Sequence, residues 1–312
     1  MRALLSLVFL VWTATAAHAA DLSYALTPRL IAPGTYIVEG RREHFSRDNG
    51  GNIVNTAFIV TAAGVVIIDT GPSALYGREL RAAIGQVTPL PVVKVVNTHH
   101  HPDHFLGNQA FADIGVAASA TTAGIIARDG QSLTENLYRL NGDWMRGTEP
   151  QAPTGRLEGG VEEIGGHRLR WLLLAGHTAA DVALFDQTTG VLFTADLVFK
   201  DRAPTTPDAD IAAWLAALDV LEALPFRILV PGHGNEATDA APIAQTRAWL
   251  GWLDSTLGAA AAQGLSRTEA MQLPIPADFS ALALARDEFQ RSVVHLYPTL
   301  EAGALQRVVG PK

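Results

Sequence analysis

Four times along this chain a run of apolar, β-prone residues stops at a side chain able to ligate a metal ion. Val92–Val96 leads into NTHHHPDH at 97–104, WLLLAGHT runs into His177, VLFTAD into Asp196, and RILVPGHG into His233. Four of the ten histidines, with Asp103, fall between positions 99 and 104. Loops at strand ends are held by the sheet behind them and open to solvent in front, which suits them to carry sites. A solvent-facing histidine run would need no matching residues elsewhere, and a lone Gly-His is an ordinary turn. The ordered series H-x-H-x-D-H, GH, AD, GHG is better explained by one ligand cluster assembled from several strand ends. Imidazoles with carboxylates suit Zn²⁺, although iron or manganese would accept the same donors.

The rest of the chain supplies the elements such a cluster needs. Thr35–Glu39, Ile53–Val60, Val65–Asp69, Val92–Asn97, His167–Leu174, Val182–Asp186, Val191–Ala195 and Arg227–Val230 read as strands, rich in Val and Ile and bounded by Gly or Pro. Several are apolar nearly throughout, as expected of sheets covered on both faces. Helices are expected over Leu75–Val87, Asp103–Phe111, Thr121–Met145 and Ile211–Leu224. The last puts Ile211, Trp214, Leu215, Leu218 and Leu221 on one face. Within the third, Leu133, Leu137, Tyr138, Leu140 and Trp144 are expected in the core rather than on a substrate wall. An α/β (α+β) layered domain follows. Beyond Thr238 the composition shifts to Ala, Leu and Trp at helical spacing, with no Gly/Ser linker. The expected division is a domain over 20–250 with C-terminal helices, 251–312, packed on it.

The first twenty residues, MRALLSLVFLVWTATAAHAA, have the cationic start, short apolar core and Ala-x-Ala end of a secretory leader. The apolar run is too short to span a bilayer, and no later segment is long enough either. Cleavage after Ala19 and export to a bacterial periplasm are expected. The chain has no Cys, so neither disulfides nor a thiolate nucleophile is available. A net charge of −8 and a pI near 5.6 argue against a nucleic-acid partner, which would need clustered Lys and Arg.

In residue type, order and approximate spacing, His99-x-His101-x-Asp103-His104, His177, Asp196 and His233 resemble the ligand series of the metallo-β-lactamase-fold hydrolases. Val66–Gly71 (VIIDTG) resembles an early strand and turn of the same superfamily. The resemblance implies a four-layer αββα sandwich with a site at one edge of two sheets. It implies His99, His101 and His177 on one zinc, Asp103, His104 and His233 on a second, and Asp196 bridging the two. It further implies a water ionised between the metals as nucleophile, oriented by Asp103, so that no protein nucleophile is required. His100 points the other way in a His-x-His register and is expected not to ligate. Asp69, Thr98 and Thr178 are candidates to hydrogen-bond ligating rings and fix their tautomers.

Within the superfamily, an Asp at position 196 looks more like thioesterases and lactonases than dedicated lactamases. Longer stretches, 39–57, 97–111 and 203–210 with Trp214, resemble the exported quinoprotein relay system zinc metallohydrolases, which implies a functional link to a periplasmic quinoprotein dehydrogenase. The leading expectation is a dinuclear zinc hydrolase acting on an ester, thioester, lactone or amide of a small molecule. Two others are a non-hydrolytic accessory protein that binds a metabolite or quinone cofactor, and a mononuclear iron oxygenase of the same fold. Cations near the site, in the 41–45 loop or at Lys200, are candidates to hold a substrate carboxylate.

Overall fold

A computed structural model of the chain describes residues 22–309. The expected leader and its cleavage point lie outside the described residues. Strands β1 (Arg29–Ala32), β2 (Thr35–Val38), β3 (Thr56–Thr61), β4 (Gly64–Ile68), β5 (Val92–Val96), β6 (Ala117–Ala118) and β7 (Gly155–Arg156) pair side by side in chain order. Pairing is antiparallel as far as β4 and parallel from β4 to β7. The second sheet holds β8 (Gly160–Ile164), β9 (His167–Leu174), β10 (Asp181–Asp186), β11 (Val191–Phe199) and β12 (Ile228–His233), in the order β12-β11-β10-β9-β8. Only its β11–β12 pair is parallel.

Strand alternation explains why these runs are apolar at consecutive positions. Ile37, Ala57, Ile59, Val66, Ile68 and Val96 face inward and meet Leu169, Trp171, Val182, Leu184 and Phe193 of the other sheet. Their neighbours Val38, Phe58, Val65 and Ile67 face outward onto Tyr76, Leu80 and Ile84 of α1 (Ala74–Val87), which starts at the Ser73 cap. The same outer layer carries the one-turn α2 (Pro102–Phe105) and the long α3 (Ala120–Asn141).

On the far side lie α4 (Ile211–Glu222), α5 (Ala241–Ala262), the single turns α6 (Arg267–Ala270) and α7 (Ala277–Ser280), and α8 (Ala285–Val309). Trp214 and Leu218 of α4, Trp249 and Leu253 of α5, and Phe289 and Val293 of α8 share one core with Leu172, Ala183, Phe185 and Leu192 of the second sheet. The outcome is an αββα sandwich carrying a C-terminal helical region. Among the described residues no helix is long and apolar enough to cross a membrane.

Four differences from the sequence reading have local causes. The helix expected over 103–111 is two short pieces, α2 and a 3-10 turn at Asn108–Phe111. Between them Gly107 passes the Thr70 carbonyl so closely that a Cβ would sit 2.0 Å from its oxygen. β11 runs four residues past its expected end at Ala195, to Phe199, through a bulge. β1, β6, β7 and β8 went unread: β1, β7 and β8 are largely exposed and β6 is two residues long, so none carries a buried apolar pattern. Helix α5 continues unbroken through 250 and 251, so the expected domain boundary has no counterpart there.

Candidate metal centre

All seven residues of the expected ligand series come together at one edge of the sandwich, contributed by both sheets. The loop after β5 and the first turn of α2 carry His99, His101, Asp103 and His104. The β9–β10 loop carries His177, the bulged middle of β11 carries Asp196, and the end of β12 carries His233. Ligating atoms of His99, His101, His177 and Asp196 lie within 4.8 Å of one another, as do those of Asp103, His104 and His233.

Asp196 touches both groups. Its Oδ1 is 3.2 Å from His104 Nε2, and its Oδ2 is 3.2 Å from His233 Nε2 and 3.4 Å from His177 Nε2. It reaches this position by local strain. Ala195 adopts a φ of 45° at the β11 bulge, a conformation rare for a residue with a side chain, and the bulge re-aims the residue that follows. Gly232 on the neighbouring strand makes room, since a Cβ there would lie 1.9 Å from Asp196 Oδ1. Asn55 pins the same turn from the first sheet, donating to the Pro231 carbonyl at 2.9 Å and the Gly234 carbonyl at 2.6 Å.

Four of the five rings are oriented by a partner on the nitrogen turned away from the cluster. The Asp69 carboxylate pairs with His104 Nδ1 at 2.8 Å and accepts both the backbone N–H and the hydroxyl of Thr98. The Thr98 hydroxyl also lies 3.1 Å from His99 Nδ1. His233 Nδ1 donates to the Ile53 carbonyl at 2.7 Å. His101 turns Nδ1 inward, 2.9 Å from His177 Nε2, and its Nε2 meets Asp208 Oδ2 at 2.9 Å. Asp208 escaped the sequence reading; it sits in the loop after β11, with no apolar run or Gly-His beside it to mark it. His177 is held by packing, edge-on to Trp214 with ring centroids 4.9 Å apart.

Thr178 is a correction. Its hydroxyl contacts the Asp181 carboxylate and the Ala180 carbonyl, closing the turn after His177, and does not reach a ring. Lys200 is a second: its Nζ donates to the Glu236 carbonyl at 3.0 Å, outside the site cavity. The chain turns at Asp201, whose φ is 55°, and Arg202 lines the cavity instead. In the 41–45 loop, Arg42 pairs with Asp201 on the surface while Phe45 lines the cavity. Leu133 and Leu137 pack in the core as expected but also form cavity wall, whereas Tyr138 and Leu140 are exposed. His100 stays outside both ligand groups, its Nε2 3.6 Å from Asp208.

The electrostatics fit cation binding. Burial, reinforced by neighbouring rings, holds His99, His101 and His177 below the ordinary imidazole range, so their lone pairs are free at neutral pH. For His104, burial pulls the same way but is outweighed by Asp196, Asp69 and Asp103, which raise it well above that range. A divalent cation among these carboxylates would take the place of that proton. His99 Nε2, His104 Nε2 and Asp196 Oδ1 are buried without hydrogen-bond partners, an arrangement that is costly unless something else occupies their lone pairs. With metal–ligand bonds of about 2.0–2.1 Å, tetrahedral ligand atoms sit roughly 3.3–3.4 Å apart. Contacts across this cluster of 2.9 Å for His101–His177, 3.2–3.4 Å for Asp196 with His104, His233 and His177, and 3.6–3.9 Å for Asp103–His233 and His99–Asp196 bracket that spacing, so these residues fit the metals that the family implies.

Comparison with known proteins agrees with this geometry. Residues 49–233 match the family model of the metallo-beta-lactamase superfamily. The chain is 24% identical over 212 residues to a linear primary-alkylsulfatase from a Pseudomonas species, covering 55% of this chain and 40% of that protein. It is 25% identical over 186 residues to metallo-beta-lactamase IND-1 of Chryseobacterium indologenes, covering 57% of this chain and 71% of the relative. Among solved structures, a metallo-beta-lactamase from Pontibacter korlensis superposes with a TM-score of 0.60 at 25% identity, covering 72% of this chain and 99% of the other. With more than half of its length matched and the ligand series assembled at the sheet edge, the chain belongs to the metallo-beta-lactamase superfamily.

Proposed function

We propose that the protein is a dinuclear zinc hydrolase of the periplasm, cleaving an ester, thioester, lactone or amide bond of a small molecule. The observation that carries this reading is the convergence of seven donor side chains from both sheets, with buried lone pairs left unpartnered at its centre. His99, His101 and His177 would hold one zinc, Asp103, His104 and His233 the other, and Asp196 both. Two such ions would supply Lewis acidity and lower the pKa of water toward about 7. The likeness to a lactamase and an alkylsulfatase supports a metal-dependent hydrolase.

The chain's own groups do the remaining work. Asp103 lines the cavity with its Oδ2 3.6 Å from His233 Nε2, and besides ligating there it would orient the attacking water by accepting a hydrogen bond from it. Phe45, Ile53, Leu133 and Leu137 give the cavity, about 180 Å³ in volume, an apolar wall that keeps bulk water from the scissile bond. Periplasmic location is supported by the leader sequence, and the link to a quinoprotein dehydrogenase by sequence resemblance alone. In a one-metal oxygenase, His104 and His233 would be idle, which disfavours that alternative.

The test is elemental analysis of protein purified without added metal, beside Asp103→Ala, followed by ester, thioester, lactone and lactam panels. Two equivalents of zinc falling toward one in the variant, with turnover lost, is the expected result. One equivalent of iron, or no metal, overturns the proposal.

A further inference from the structure

The cavity that holds Asp103, His101 and His233 also holds three groups with no role in binding metal: Arg202, Thr205 and Arg291. Arg202 is 3% exposed, yet its Nε and Nη1 have no hydrogen-bond acceptor. Its ion partner is Glu288 of α8, at 3.5 Å from Nη2, and both Glu288 oxygens lack hydrogen bonds. A guanidinium and a carboxylate that served only to neutralise each other would close to a bidentate pair below 3 Å. This pair stands open, and the Thr205 hydroxyl beside it is likewise buried without a partner. Buried donors are rarely left unmade, and a cluster of them in a ligand cavity calls for an acceptor that arrives with the ligand.

The cluster is built by the C-terminal region. Glu288 and Arg291 lie on α8, beyond the 49–233 stretch that matches the family. The strand-like bridge between Arg202 and Ala283 ties the loop after β11 to the residues just before that helix. Phe199 supports the arrangement from below, with the Arg202 guanidinium 5.7 Å from its ring centroid and the His233 ring stacked on it at 5.1 Å. The metal ligand and the guanidinium are thus set against one another through a single aromatic ring.

We propose that the substrate carries, besides the bond that is cleaved, a second and non-reacting oxyanion group, which Arg202, Thr205 and Arg291 receive. This rests on the hydrolase reading and narrows it to small acidic substrates, with the C-terminal helix as the element that selects them. The chemistry is shared by carboxylate and sulfonate, and the experiment separates the two.

Zinc-loaded protein is assayed with mono-4-nitrophenyl glutarate, its neutral counterpart 4-nitrophenyl butyrate, and 4-nitrophenyl 4-sulfobutyrate. Glutarate binding to the same protein is measured by calorimetry. Arg291→Ala is an exposed-site variant, and Arg202→Met with Glu288→Gln removes the buried pair without stranding a charge; zinc content and near-UV circular dichroism check both for folding. The expected result is a charged-to-neutral ratio of kcat/KM that falls about tenfold in the double variant, through KM, as loss of charge-assisted hydrogen bonds predicts. A fall with the carboxylate ester, the sulfonate ester or both identifies the group received. An unchanged ratio with both overturns the inference while leaving the hydrolase reading intact. If no ester is turned over, binding decides: weaker glutarate binding in either variant supports the anion receptor, and unaltered binding in both overturns it, while the hydrolase reading passes to the thioester, lactone and lactam panels.

Discussion

Removing Asp208 tests whether the outer partner of His101 sets the metal affinity. The ring must present Nδ1 to the metal, so its proton must sit on Nε2, and Asp208 Oδ2, 2.9 Å away, holds it there. His100 and His101 in turn keep the Asp208 carboxyl far below the usual carboxylate range, so it remains an acceptor at any working pH. Loss of such a partner weakens metal binding about 10- to 100-fold. At 1.36 kcal/mol per tenfold that is roughly 1.4–2.7 kcal/mol. The Asp208 side chain is 49% exposed, so water replaces part of what is lost, and Asp208→Ala should fall at the tenfold end. Chelator competition with metal counting is the assay, and the weakened ion should be the one held by His99, His101 and His177. Asp208→Asn should lie between, because its amide oxygen still accepts from Nε2. Two ions held as tightly in Asp208→Ala as in the parent would refute the orienting role.

Gly232→Ala should lower stability by about 1–3 kcal/mol in denaturant titration and release one metal, because the new methyl collides with Asp196 Oδ1 and the Ala195 backbone. Trp214→Leu should cost about 3 kcal/mol or more, since it opens a cavity, strips the Leu197 carbonyl of its indole donor and leaves His177 unsupported; unchanged unfolding midpoints would contradict this. Burial pushes the Asp181 carboxyl up to about 7, against hydrogen bonds from Thr178 that lower it. The native chain therefore keeps a proton that the unfolded chain loses above about pH 4, and this group makes stability fall as pH rises from about 4 to 7. Asp181→Asn should flatten the slope of metal-free stability over that window by up to about 1.4 kcal/mol per pH unit, and an unaltered slope would count against the shift.

The centre was legible because each ligand segment follows an apolar run, and strands buried on both faces are the strongest pattern a sequence carries. Asp69 and Thr98 were readable for a related reason: they end the neighbouring parallel strands β4 and β5, so pairing alone sets Asp69 against Thr98. Asp208 and Arg202 left no such trace. They lie in an irregular loop whose path depends on a bridge to Ala283, some eighty residues later, and no local pattern encodes that contact. Lys200 and Arg202, two positions apart, look alike in sequence as cations beside the site until the backbone turns at Asp201 and sends only Arg202 into the cavity. Thr178 was misread for the converse reason: next to a ligand in sequence, its hydroxyl found a nearer partner in its own turn.

Residues 29–156 make one sheet and residues 160–233 the other, so the chain crosses between them once, over 157–159, where Leu157 is buried in the core and Glu158 and Gly159 are exposed. Every ligand set proposed here takes members from each side of that crossing. Metals bound in that way would act as a clasp between two consecutive segments, and cutting the chain at Gly159 should leave two pieces whose reassembly is switched by zinc supply. On the proposed export and zinc ligation, the chain would complete its maturation where zinc is supplied.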